Sequence, residues 1–282
     1  MNDVKKFMIG SMHRTGHHAV AVWLLHQLEG VHDFDINSIT PWLFYLYNNQ
    51  EQVRYLANNP LKVPMLSDGK SYQLFGSDGK GNHGLSVEHP DKVHFDKIMK
   101  DYHEANSNTN LIIGTHEQKK LKDVAWAAGC SDVFGVNTSL VVVLRDFRNW
   151  VASCIKMAHR DDKPLEETMN DDKVNAYVDH CKYYMDIKGE NCILFNRWVS
   201  DENYRREVAE MLGVHFTDAA LDQLSPFGGG SSFTKMRFLK NASQMNVNSR
   251  YQNMAEDDNY NRIINSNKEA LEMSNEIFGS TN

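Results

Sequence analysis

Leu140-Val141-Val142-Val143-Leu144 is the segment that most limits the fold. Five apolar residues in a row, three of them β-branched, suit a strand covered on both faces, and such strands belong to parallel sheets. Parallel neighbours need crossover connections, so helical periods should follow the strands. One is expected from about Asn149, with Val151, Cys154, Ile155 and Ala158 at core spacing. Phe7-Met8-Ile9-Gly10-Ser11-Met12 reads as a second buried strand, followed by a polar loop and a helix from Ala19 to Leu28 that places Val20, Trp23, Leu24 and Leu28 on one face. Leu111 to Thr115 is another strand, with a basic segment behind it that starts a helix around Lys120. Cys192-Ile193-Leu194-Phe195 is the last, and Asp201 to Leu212 is a helix that Gly213 can terminate. The expected class is α/β with a central parallel sheet, and no linker of disordered composition divides the chain, so residues 1–282 read as one domain.

Two stretches break the alternation. Residues 31–110 hold an aromatic cluster, Trp42, Phe44, Tyr45 and Tyr47, which is either core or a stacking platform. Two Ser-Asp-Gly-Lys copies follow, at Ser67 to Lys70 and Ser77 to Lys80, and Asp-Gly marks turns of a surface hairpin. The second stretch, residues 226–282, opens with the flexible loop Gly228-Gly229-Gly230-Ser231-Ser232-Phe233 and continues as a polar carboxy-terminal region with a helix.

Thirty basic against 37 acidic residues give a formal charge of −7, which argues against a nucleic-acid coat or a polybasic membrane surface. No segment approaches the roughly 18 consecutive apolar residues of a membrane span, and the first apolar run is too short for a signal peptide. A cytoplasmic protein is expected. Cys130, Cys154, Cys181 and Cys192 contain no C-x-x-C pair, which removes the common zinc and dithiol readings.

The chemistry lies in the loops that follow the strands. In an open parallel sheet ligands bind at the carboxyl ends of the strands, and a helix amino terminus there favours anions. His13-Arg14-Thr15-Gly16-His17-His18 is such a loop, and Gly16 lets backbone approach a ligand. It is not a triphosphate P-loop: Gly10 to Gly16 is one residue too long, and His17 and His18 stand where Lys and Ser/Thr should be. An anion cradle containing Arg14 remains. The second loop, Arg145-Asp146-Phe147-Arg148, leaves the clearest strand, and Ser153 follows Arg145 by eight residues. Arg145 suits phosphate oxygens, although an Arg-Asp pair in this place is also a common structural ion pair. The third element is Thr115-His116, where the imidazole is either a packed residue or a base.

Taken together these elements resemble the sulfotransferases that use 3′-phosphoadenosine 5′-phosphosulfate (PAPS). Arg14-Thr15-Gly16 is similar to that family's 5′-phosphosulfate loop, Val143-Leu144-Arg145-Asp146 with Ser153 to its 3′-phosphate motif, and Thr115-His116 to its Thr-His dipeptide with the catalytic base. Ile193-Leu194-Phe195-Asn196 resembles the late strand, with Phe195 and Asn196 in place of the usual Tyr-Glu, and Gly228 to Phe233 with Arg250-Tyr251 resembles the carboxy-terminal loop of bacterial members.

The resemblance implies a P-loop-NTPase-like three-layer α/β/α fold, in which 31–110 is an acceptor-side insertion. It implies transfer of a sulfuryl group to a hydroxyl or amine acceptor, a small molecule or glycan, with adenosine 3′,5′-bisphosphate (PAP) as product and no metal. His116 would be the base. Arg14 with the amides of Thr15, Gly16, His17 and His18 would hold the sulfate, and Arg145, Ser153 and a later basic residue, Arg237 or Lys240, the 3′-phosphate. The rivals are a nucleotide kinase or NTPase with a degenerate P-loop, a nucleotide-binding protein without catalysis, and a metal site at His13, His17 and His18.

Overall fold

The apolar runs form a parallel sheet. The structure is a computed structural model and describes residues 6–29, 43–45, 55–56, 74–77, 82–83, 111–115, 138–219, 221–222, 233 and 241–280. In chain order the strands are β1 (Lys6–Ser11), β2 (Leu43–Tyr45), β3 (Tyr55–Leu56), β4 (Leu74–Ser77), β5 (Asn82–His83), β6 (Leu111–Thr115), β7 (Thr138–Leu144) and β8 (Cys192–Leu194). The helices are α1 (His17–Glu29), α2 (Phe147–Arg160), α3 (Leu165–Thr168), α4 (Asp171–Asp186), α5 (Phe195–Ser200), α6 (Glu202–Met211), α7 (Asp258–Ser266) and α8 (Lys268–Phe278).

Five strands lie in the order β2-β6-β1-β7-β8, and every neighbouring pair is parallel. From β1 the chain travels outward to β2 on one side, and from β7 to β8 on the other. The connections therefore reverse direction between two adjacent central strands, which opens a crevice at their carboxyl ends. Register places Ser11 at the end of β1 opposite Val143, one residue before the end of β7. The loops carrying Arg14 and Arg145 thus start side by side. Val141, Val142 and Val143 are all fully buried, as a strand covered on both faces requires.

Two apolar clusters hold these elements. One joins Phe7 and Ile9 of β1 and the valines of β7 to Val20, Trp23 and Leu24 of α1, Trp198 of α5 and Val208 of α6. The other packs Phe147, Trp150 and Ile155 of α2 against Tyr177 and Cys181 of α4, Tyr260 and Ile264 of α7 and Ala270 of α8. Its centre is a set of touching rings, with Trp150 stacked on Tyr177 at 5.1 Å and Phe147 tilted against Tyr177 at 5.1 Å.

Several expectations need correction. The first helix begins at His17, so both histidines belong to its opening turn and the true loop is 12–16. Phe195 does not extend the last strand; it starts α5. The segment 31–110 is not simply an insertion, because β2 within it pairs with β6 at the sheet edge, Leu43 opposite Ile113. Phe44 and Tyr45 of the aromatic cluster are therefore strand residues. β4, which ends at Ser77 of the second Ser-Asp-Gly-Lys copy, pairs antiparallel with β5, Ser77 opposite Asn82; the rest of that copy lies outside the described residues. The first copy and the helix near Lys120 lie outside the described residues. Gly213 does end α6, at φ 62°. Among the described residues no helix is long and apolar enough to cross a membrane.

Candidate functional site

The loop after β1 turns sharply. Arg14 has φ 68°, a left-handed conformation uncommon outside glycine, and Gly16 has φ 96°. Strain of this kind costs of order 1 kcal/mol or more and clusters where a ligand is held. Thr15 closes the turn, its Oγ1 donating to the Met12 carbonyl at 2.9 Å and its amide to the same oxygen at 3.4 Å. Both Thr15 donors are thus directed into the loop, and the donor array at the head of α1 begins at Gly16. The first i to i−4 bond of the helix runs from the Val20 amide to the Gly16 carbonyl, so the amides of 16–18 precede the ladder. α1 has no acidic residue in its first turn to neutralise its positive dipole end. Gly16 sits against the Phe195 ring, where a Cβ would come within 2.3 Å of a ring carbon. His17 is buried, and its ring lies 4.2 Å from that of His18.

The loop after β7 is built differently. Arg145 is 3% exposed, and its guanidinium donates to the carbonyls of Arg14 at 3.3 Å and Val247 at 2.8 Å. Its Nε is buried with no hydrogen-bond partner. Asp146 does not ion-pair with it: Oδ1 accepts the Asn149 amide at 3.0 Å, and Oδ2 accepts Asn149 Nδ2 at 2.9 Å and Asn196 Nδ2 at 2.6 Å. The structural ion pair that the sequence left open is thereby replaced by an N-cap. Tyr177 Oη supports the Arg145 carbonyl from α4 at 2.9 Å.

The two loops are joined. Arg14 Nε donates to Ser153 Oγ at 3.2 Å across 139 residues of sequence, and Trp150 Nε1 donates to the His13 carbonyl at 2.8 Å. Ser153 lies inside α2, eight residues after Arg145, and is buried. A third guanidinium enters from the carboxy-terminal segment: Arg250, 7% exposed, lies with its Cζ 5.3 Å from the Phe233 ring centroid. Burial, and then the charges of Arg145 and Arg14, bring its pKa down to about 9. Burial likewise lowers Arg145 to about 10, opposed by Asp146 and reinforced by Arg14. Burial disfavours the charge on Arg145 and on Arg250, and an anion beside them would relieve both.

Of the expected residues, Arg14, Thr15, Gly16, His17, His18, Arg145 and Ser153 converge at the crevice between β1 and β7. Thr115 ends β6 two strands away from β7, and His116, Arg237 and Lys240 lie outside the described residues. Arg250 was missed as a basic group of the site. Its segment shows no apolar periodicity, so nothing local marks a buried side chain. Among the described residues no cluster of three or more His, Cys, Asp or Glu is placed to hold a metal. Cys181 and Cys192 are buried thiols whose pKa burial pushes up to about 12, which leaves them protonated and inert. No protein-family model, curated protein or solved structure matches the chain.

Proposed function

We propose that the chain is a PAPS-dependent sulfotransferase. The observation that carries this reading is the union of Arg14, Ser153 and Arg145 at the point where the sheet connections reverse, with an unpartnered buried Nε on Arg145. A strand-to-helix loop with a helix-end cradle suits the sulfated 5′-phosphate. An arginine and a serine eight residues apart, on the neighbouring strand and helix, suit a second, separate phosphate. The guanidinia of Arg14, Arg145 and Arg250 favour a ligand with at least two anionic groups, and a 3′-phosphate with a 5′-phosphosulfate has them. The sheet order and the helices fit a P-loop-like three-layer arrangement whose terminal-phosphate lysine and magnesium hydroxyl are absent from the loop. This disfavours the kinase and NTPase alternatives.

In the proposed reaction the acceptor oxygen or nitrogen forms the new bond to sulfur while the bond from sulfur to the bridging phosphate oxygen breaks. The electron pair leaves on PAP, and His116 takes the acceptor proton. Arg14 and the amides of Gly16, His17 and His18 stabilise charge developing on the leaving phosphate, a preorganised arrangement of the kind that lowers barriers most. The acceptor, a small molecule or glycan, enters from the side of residues 31–110.

Thermal shift tests the reading. PAP at a hundredfold excess over its dissociation constant should stabilise the folded chain by about 2.7 kcal/mol, and ATP with magnesium should not. Stabilisation by ATP-magnesium alone would sink the proposal.

A further inference from the structure

The segment 245–251 lies across the site and is fastened there by side-chain amides. Asn196 Oδ1 accepts the Asp146 amide at 3.0 Å while its Nδ2 donates to Asp146 Oδ2 at 2.6 Å, and its own carbonyl accepts Asn248 Nδ2 at 3.0 Å. Asn149, fully buried, donates through Nδ2 to both Asp146 Oδ2 and the Asn248 carbonyl, each at 2.9 Å, and accepts the Tyr251 amide on Oδ1 at 3.2 Å. These partners fix both amide orientations, because a flipped amide would set an oxygen against the carboxylate. The arrangement is a closed circuit in which one carboxylate organises two asparagines, and those hold a third.

What the circuit holds down is electrostatically unfavourable. Segment 245–251 carries Arg250, and docking it buries that guanidinium beside Arg145 and Arg14. Its Val247 carbonyl also takes one of Arg145's donors. Apart from that bond and the Asp146 carboxylate at its centre, the latch is made of neutral asparagine amides, which add no charge of their own to a cation-rich site.

We propose that Asn149, Asn196 and Asn248 are positioning residues, forming with Asp146 an amide latch that seats segment 245–251 and thereby sets how tightly the arginine cluster holds its anion. The proposal rests on the anion-binding reading for its effect on affinity, and on the hydrogen-bond circuit alone for its effect on the segment. Asn196, which stands where the resembled late-strand motif has a glutamate, thereby has a structural assignment of its own.

The test is Asn196→Asp in the full chain, read by PAP binding against pH and by amide exchange at Tyr251. The substitution is isosteric but brings a second carboxylate against Asp146, whose other charged or titratable neighbours are Arg145 on its own loop, Tyr177 on α4 and Tyr260 on α7. Two facing carboxylates cannot both ionise without repulsion, and they accept a shared proton as pH falls. The expected result is a tenfold or greater loss of PAP affinity at pH 7.5, recovered to within about threefold near pH 5.5, while Asn196→Ala shows no recovery. Exchange at Tyr251 should quicken at least tenfold at the higher pH, with the Val142 amide, bonded to the Asn191 carbonyl inside the sheet, unaffected. Asn248→Ala, which removes only the bond from its Nδ2 to the Asn196 carbonyl, should loosen Tyr251 less and leave the fold intact.

If PAP fails to bind the wild type, the proposed function falls, and Tyr251 exchange alone decides the latch. If PAP binds wild type and variant alike with Tyr251 still protected, the latch is wrong and the function stands. A loss equal at every pH, or one that frees Val142 as well, also overturns the latch.

Discussion

Two strand-to-helix turns leave adjacent parallel strands at the same end of the sheet, yet their helix starts are built differently. After β7, the first turn of α2 is satisfied by the protein itself: the Phe147 amide by Ser274 Oγ at 2.9 Å, the Asn149 amide by Asp146 Oδ1 at 3.0 Å, and the Trp150 amide by the Asp146 carbonyl at 3.0 Å. After β1, the turn is strained at Arg14, and α1 opens without an acidic first turn. The same local topology therefore yields one helix end closed by an aspartate cap and one that opens after a left-handed turn with no acidic residue in its first turn. The β7 turn contributes to the site through the side chains of Arg145 and Ser153, and the β1 turn through its backbone and Arg14. This division suits a ligand with two anionic ends, one met by helix amides and one by a guanidinium fork.

The largest effect expected to break the comparison comes from Arg145→Ala. If the β7 turn reads its anion through this side chain, the substitution should weaken PAP binding by roughly a hundredfold, within the 2–5 kcal/mol typical of truncating a buried charged hydrogen-bonding group. Adenosine 5′-phosphate should lose far less, because it lacks the second anionic end. Arg145→Lys should restore only part of the loss, since a point charge cannot reproduce the fork that also bridges the Arg14 and Val247 carbonyls. Calorimetric titration with both nucleotides measures this. Equal losses for the two ligands would make the β7 turn a structural element and no more.

Gly16→Ala sharpens the other half. The position combines a left-handed φ of 96° with a Phe195 ring carbon 2.3 Å from where the new methyl would sit. Together the backbone strain and the overpacking should cost about 2–3 kcal/mol, seen as a lower melting temperature. Adding Phe195→Leu relieves the clash but not the dihedral, so the double variant should recover only part of the loss. Complete recovery would show that the turn tolerates a side chain, and that its strained path is not what brings backbone to the ligand.

The difference between the turns also explains what could be read from the sequence. β7 announced itself because three consecutive valines have few other uses, and the eight-residue interval from Arg145 to Ser153 lies within one local unit. The β1 loop was visible through its glycine and its missing P-loop lysine. What stayed hidden depends on residues far apart in the chain: Asn149 meets Asn248 across 99 residues, and Arg250 reaches a site built from Arg14 and Arg145, much earlier in the chain, from a segment with no periodicity. Helix α4 was a different kind of miss. Val174, Tyr177, Val178 and Cys181 do follow a helical period and Asn170 caps it, but they are embedded among charged residues that dilute the signal. α1 starts at His17, two residues before the apolar period begins at Ala19, because tertiary packing of the buried His17 outweighs the weak helix propensity of histidine.

The smallest effect isolates the closure of α2. Ser274 sits on the last helix, 3% exposed, and its hydroxyl accepts the first amide of α2 across 127 residues. Its hydroxyl also hydrogen-bonds Tyr177, whose Oη holds the Arg145 carbonyl, so Ser274→Ala removes a cap and reaches the anion site only through Tyr177. Leaving one buried amide unpaired should cost about 1 kcal/mol of stability. Exchange at Phe147 should quicken, while PAP is held as tightly as before. That outcome makes the capped end of α2 a matter of stability alone. A change in PAP affinity would instead mean that the helix end takes part in binding, and that the two turns are less different than their hydrogen bonds imply.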